Sequence, residues 1–120
     1  MSSILFVDDD MAILQLFSAT FQHSCYQILT ARSGDLALNI LATETPDLMV
    51  FDVAMPMMGG DELLHRVRAD ERFSATPVIM LTAASNRITP ELEAMVSRVL
   101  LKPISTKTLK EIIFSIIAPC

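Results

Sequence analysis

Cysteine is scarce in this chain: Cys25 and Cys120 are the only two among 120 residues. Disulfide frameworks serve small secreted domains that lack a sufficient core, and a chain of this length builds one unaided. Both cysteines are therefore read as free thiols in a reducing cytoplasm. Long apolar runs are missing too. None approaches the roughly 18 residues of a membrane-spanning helix, so no membrane segment is expected. The opening MSSILFVDDD has no basic stretch before its apolar one and meets acid at once, unlike a secretory leader. Cations are few, with nine Lys and Arg against fourteen Asp and Glu, a net charge of −5. Phosphate backbones are held by clustered Lys and Arg, so no nucleic-acid surface is expected on this domain. No repeat or linker interrupts the chain, and residues 1–120 read as one domain. What is plentiful is apolar: 52% of residues are hydrophobic and 19% charged, which excludes a disordered chain.

Five short apolar runs punctuate the sequence: Ile4 to Val7, Tyr26 to Leu29, Leu48 to Phe51, Val78 to Leu81 and Val99 to Leu101. Four are almost wholly apolar, as strands covered on both faces should be. The second holds Gln27 and is followed by Thr30, the pattern of an edge strand. Helical spacing fills the intervals. The first helix turns Ile13, Leu16, Phe17 and Phe21 inward, with Asp10 as its cap. The second spans about Gly34 to Leu41 after Ser33 and turns in Leu36, Ala37, Ile40 and Leu41. The third starts near Gly60 and buries Leu63, Leu64 and Val67. Thr89-Pro90 opens a fourth, which carries Leu92, Met95 and Val96. A fifth begins near Ser105 and buries Leu109, Ile112, Ile113 and Ile116. Five strand–helix alternations imply an α/β fold, a doubly wound parallel sheet with helices on both faces.

In such a sheet ligands sit beyond the carboxyl ends of the strands. Those positions hold Asp8, Asp9 and Asp10 after the first run, Asp52 after the third, Thr82 after the fourth and Lys102-Pro103 after the fifth. Taken alone, an acidic pair is a solvated helix start and a lysine before proline a surface residue. In register at one sheet edge they form a chemical set. Neighbouring carboxylates disfavour mutual ionisation, and hard oxygen ligands relieve this with Mg²⁺, Mn²⁺ or Ca²⁺ rather than zinc. A carboxylate left free can attack phosphorus and form an aspartyl phosphate. Lys102 can neutralise a phosphate oxygen and Thr82 can donate a hydrogen bond to another.

The segments ILFVDDD, PDLMVFDVAMPMMGGDEL, PVIMLTA and VLLKP resemble, in order and spacing, the signatures of the response-regulator receiver family of two-component signalling, the chemotaxis-regulator type. The resemblance covers the whole chain. It implies a flavodoxin-like (βα)5 fold with strand order 2-1-3-4-5. It also implies that Asp52 is the phosphoacceptor and that Asp8, Asp9, Asp52 and the backbone carbonyl of Ala54 hold Mg²⁺, or Mn²⁺ in its place. Thr82 matches the switch hydroxyl, Lys102 the phosphate-pairing lysine, and Pro103 a proline usually preceded by a cis bond. The implied partners are a sensor histidine kinase or a phosphotransfer protein, and a homodimer or output domain meeting helix 4, strand 5 and helix 5. The implied location is the cytoplasm. The implied chemistry is Mg²⁺-dependent self-phosphorylation with slow autodephosphorylation, and no enzymatic turnover of another substrate.

Several positions depart from the family pattern. Val99 stands three before the lysine, where an aromatic switch residue is usual. Met95 and Val96 replace a small pair, Gly59 replaces a frequent Asp or Asn, and the stretch from Thr82 to Lys102 is slightly short. These bear on the output switch and leave the acceptor set complete. The alternative is a pseudo-receiver, an interaction module that works without phosphorylation, but such modules usually lose one of these residues. An aspartate-nucleophile phosphatase would carry a second Asp two residues after Asp52, where Ala54 stands. His23 and His65 have no partner at ligand spacing, and on its helix His65 can pair only with Asp61. The methionines are read as filling the core and the loop after the third strand. On the fifth helix the stripe from Leu109 to Ile117 leaves Phe114 beside Lys107, Lys110 and Glu111. One exposed aromatic needs no cause, and the functional reading assigns Phe114 to a dimerisation or docking face.

Overall fold

The computed structural model describes residues 2–83 and 85–119. Five parallel strands form one sheet in the order β2-β1-β3-β4-β5: β1 at Ser3–Val7, β2 at Gln27–Ala31, β3 at Leu48–Phe51, β4 at Val78–Thr82 and β5 at Arg98–Leu101. Helices α1 (Met11–Thr20), α2 (Gly34–Leu41), α3 (Gly60–Ala69), α4 (Pro90–Ala94) and α5 (Thr106–Ile116) fill the crossovers. The alternation of side chains along a strand divides the core in two. Leu5, Val7, Met49 and Phe51 face α2, α3 and α4, whereas Ile4, Phe6, Leu48 and Val50 face α1 and α5. On the second face the Phe6 ring lies 5.0 Å from Phe17 and 5.8 Å from Phe21.

The caps fall where the sequence places them. Asp10 accepts from the backbone N–H of Ala12 and Ile13. Ser33, Thr89 and Ser105 accept from Leu36, Leu92 and Thr108. Each satisfies a donor that a helix start leaves open. Pro90 sits in the first turn of α4. The Lys102–Pro103 bond is cis.

Five expectations are corrected. Leu16 is 53% and Leu36 45% exposed; on α1 it is Leu14 that joins Phe17 in the core. Both errors arise because a helix beside the sheet edge has less surface to cover than its apolar stripe offers. The fifth strand, at the sheet edge as the order 2-1-3-4-5 implies, is not covered on both faces: only Leu100 is buried, and Leu101 is exposed. Phe114 is half-buried, edge-on to Phe21 at 5.8 Å and stacked on Tyr26 at 6.1 Å, so it packs beneath the helix and is not the exposed aromatic its spacing suggests. Cys25 is disulfide-bonded, not a free thiol; it precedes Tyr26, whose hydroxyl donates to the Ala118 carbonyl, so the end of the chain is folded back onto the start of β2. Cys120 lies outside the described residues. Asp61 meets Arg87, and His65 is exposed. Four methionines, Met49, Met55, Met58 and Met80, are in the core, but Met57 is fully exposed with φ 66°.

Candidate functional site

The parallel ladder carries its hydrogen bonds past the strand ends and so aligns the site. The Asp8 N–H donates to Ala31, Asp52 N–H to Val7 and Lys102 N–H to Thr82. Adjacent strands thus end in step, and Asp8, Asp52, Thr82 and Lys102 share one edge. Asp8, Asp52 and Thr82 are buried, whereas Asp9 is exposed.

Lys102 Nζ lies 2.7 Å from Asp8 Oδ2 and 3.5 Å from Asp52 Oδ2. Asp8 Oδ1 accepts from the Asp10 N–H at 2.9 Å, and Asp52 Oδ1 accepts from the Ala54 N–H at 3.3 Å. One oxygen each of Asp8, Asp9 and Asp52 falls within 4.8 Å of the others. Two like charges about 4 Å apart repel by about 4 kcal/mol at an effective dielectric of about 20. Three carboxylates against one ammonium leave two negative charges uncompensated. Burial raises the Asp52 carboxyl above its ordinary value, Lys102 and the Ala54 N–H pull it down, and Asp8 and Asp9 push it up again. For Lys102 burial acts downward, but the Asp8 bond and the charges of Asp8 and Asp52 outweigh it and hold the ammonium above its usual range. The lysine is therefore cationic at neutral pH and the site is short of positive charge. This donor set of carboxylate oxygens suits a hard divalent cation.

The loop after β3 explains why two glycines follow there. A Cβ on Gly60 would lie 2.3 Å from the Asp52 carbonyl oxygen, and one on Gly59 would lie 2.8 Å from that of Val53. The start of α3 therefore closes directly against the backbone that carries Asp52. Thr82 ends β4 with its side chain fully buried. Ala54 is exposed, two residues beyond Asp52.

Two residues not singled out from sequence act around this frame. Arg87, in the 3-10 turn Ser85–Arg87 after β4, reaches Asp61 at the start of α3 at 3.8 Å. It ties the start of α3, which follows Asp52 in the chain, to the turn after β4. Arg68, half-buried near the end of α3, donates to the carbonyls of Met95, Phe73 and Thr76 at 3.0, 2.8 and 2.7 Å. It thereby caps the last turns of α4 and of the 3-10 turn Glu71–Phe73. A basic residue in a last helical turn was the available signal for Arg68; Arg87 had none, because its partner lies on another element.

The family model described as response regulator receiver domain matches residues 4–114. The Regulator of RpoS of Escherichia coli strain K12 is 36% identical over 119 residues, which cover 97% of this chain and 35% of that protein. The chain spans about a third to a half of the length of the curated regulators it matches, among them transcriptional regulators of Guillardia theta and Cyanophora paradoxa. The chemotaxis protein CheY4 of Vibrio cholerae superposes with a TM-score of 0.85 at 31% identity, over 98% of this chain and 99% of that one. The response regulator TrrA of Thermotoga maritima, in complex with Mg²⁺ and BeF, gives 0.85 at 28% identity, over 98% and 100%.

Proposed function

The chain belongs to the response regulator receiver domain family, and from that premise we propose that it takes a phosphoryl group onto Asp52 from a histidine kinase or a phosphotransfer protein. The observation that carries this is the convergence of Asp8, Asp9 and Asp52 oxygens within 4.8 Å, beside the Lys102 ammonium. Such a grouping is costly in itself and becomes favourable when a divalent cation and a phosphoryl group complete it.

A free oxygen of Asp52 attacks phosphorus as the bond to the donor's imidazole nitrogen breaks; the donor's other ring nitrogen already carries a proton, so the ring keeps the P–N electron pair and leaves as neutral imidazole. Asp8, Asp9, Asp52 and the carbonyl of Ala54 would hold Mg²⁺, with Mn²⁺ as a substitute. When bound, the ion supplies Lewis-acid neutralisation of the phosphoryl oxygens. The Ala54 N–H, now on Asp52 Oδ1, fixes the carboxylate rotamer so that the attacking oxygen is presented without a search. Lys102 exchanges part of its contact with Asp8 for a phosphoryl oxygen, and the Thr82 hydroxyl donates to another. The Thermotoga regulator with bound Mg²⁺ and BeF is the kind of complex this geometry would form. Among the described residues no helix is long and apolar enough to cross a membrane. A homodimer or an output domain would then meet α4, β5 and α5.

Intact-mass spectrometry after incubation with acetyl phosphate tests the proposal. A single phosphoryl adduct is expected with Mg²⁺ and none with chelator or in Asp52→Asn. The same adduct yield in Asp52→Asn sinks the assignment, and no adduct in the wild type leaves the phosphorylation-independent module as the better reading.

A further inference from the structure

A groove lined by neither Asp8, Asp9 nor Asp52 lies apart from the acid cluster. It has a volume of about 730 Å³ and lies between α1 and α2, where Thr30 and Ala31 bring the end of β2 into it. Met11 and Leu14 wall it on one side, Leu36 and Ile40 on the other. Met11 is 51% and Leu36 45% exposed, so the groove is where the apolar stripes of both helices run past the sheet. Its single charged lining residue is Arg32. Arg32 Nη1 rests 3.4 Å from Met11 Sδ across the groove, and among the described residues Arg32 enters no ion pair.

The floor of the groove is an open strand edge. β2 pairs with β1 alone. The Gln27 N–H donates to Ser2 and the Ala31 carbonyl accepts from Asp8, so these residues turn their backbone toward β1. The alternation of a parallel ladder then turns Ile28 and Thr30 outward. The strand reads QILTA, without the proline or charge that commonly blunts an edge. The α1 residues along the groove run from Met11 to Ala19, about 12 Å of helix rise, the length of about four residues of extended chain.

We propose that this groove is a peptide-docking site. An extended segment of a partner protein adds to β2 as a sixth strand, sets apolar side chains between Met11 and Leu36, and places a carboxylate against Arg32. The lone guanidinium selects an acidic residue in that segment. The outward backbone groups of Ile28 and Thr30 select an extended chain, since a small apolar anion leaves them unused. A second copy of this chain pairing through the same edge brings QILTA, which has no acid for Arg32. The site is separate from the phosphoacceptor and does not depend on its chemistry.

Selection of displayed random heptapeptides on the intact domain tests this, with Arg32→Glu and Leu36→Lys as parallel baits. Both positions are exposed, and circular dichroism confirms the fold of each variant. Enriched sequences are expected to alternate apolar and polar residues around one Asp or Glu. Synthetic versions should slow amide exchange at Ile28 and Thr30 and bind both variants about tenfold more weakly, the scale of a lost charged contact. Three results overturn the proposal. One is no enrichment of acidic sequences, or selected peptides that bind Arg32→Glu equally well. Another is dodecanoate shifting the Met11 and Leu36 methyl resonances where no peptide does, which makes the groove an amphiphile site. The third is protection of Ile28 and Thr30 that rises with protein concentration alone, which assigns the edge to a second copy.

Discussion

Burial holds the Asp52 carboxyl above its ordinary value of 3.8, against the pull of Lys102 and with the push of Asp8 and Asp9. A raised acid contributes stability that is complete below the unfolded value and is lost as pH rises through the folded one. At neutral pH the ionised Asp52 is therefore a cost to the metal-free fold. Asp52→Asn should be more stable than the wild type in urea at pH 7 with chelator present, and the gain should fade as pH falls toward 3.8. A gain independent of pH would show that charge is not its cause. Gly60 makes the opposite case, because its requirement is steric. Gly60→Ala puts a methyl against the Asp52 carbonyl oxygen, 2.3 Å away before any movement. It should cost about 1–3 kcal/mol, the usual scale of overpacking, and slow phosphorylation by shifting Asp52. Denaturant midpoints and adduct formation rates measure the two effects separately.

Among the elements, α5 shows how little a helical pattern says about its neighbours. At 100° per residue Phe114 falls outside the inward stripe, yet its ring is covered by Phe21 from the end of α1 and Tyr26 from the start of β2. Phe114→Ala should therefore cost about 3 kcal/mol of stability, near the lower bound for a buried aromatic because the ring is only half-covered. It should leave the sedimentation coefficient unchanged with and without beryllofluoride and Mg²⁺. A stability change under about 0.5 kcal/mol, the level of an ordinary surface substitution, would show the ring to be dispensable packing. The opposite end of the sheet carries the departure at Val99, which is half-buried on an edge strand. A β-branched side chain with one dominant torsion cannot swing between buried and exposed positions as an aromatic ring can; the helix that precedes it is α4. That helix is five residues long and anchored at its end by Arg68 through Met95.

For the whole molecule, the acid cluster would couple the binding of a cation to folding, since it exists only when β1 and β3 lie side by side. A cation that binds this state alone raises stability by about 1–3 kcal/mol at about 10 to 100 times its dissociation constant. Millimolar Mg²⁺ should raise the melting temperature of the wild type, and Asp9→Ala should lose most of that shift. A wild type indifferent to Mg²⁺ would argue that the three carboxylates do not act together.

The strands, the caps at Asp10, Ser33 and Thr89, and the meeting of Asp8, Asp9, Asp52, Thr82 and Lys102 at one sheet edge were legible in the sequence. Their signals are local: an apolar run, an oxygen-bearing side chain before a helix, a chemical residue directly after a strand. Ala54 was legible only through resemblance, and the sequence alone carries no sign that its N–H would hold the Asp52 carboxylate. What the tertiary structure decided is which apolar residues are covered and which charges meet. Leu36 and Leu16 have core-like spacing and no surface to cover, and Phe114 has surface-like spacing and two rings against it. Arg87 reaches Asp61 across two loops, and the disulfide at Cys25 accompanies a chain end folded back onto β2. Periodicity reports the direction a side chain takes from its own element, but burial and pairing depend on what another element has placed in that direction.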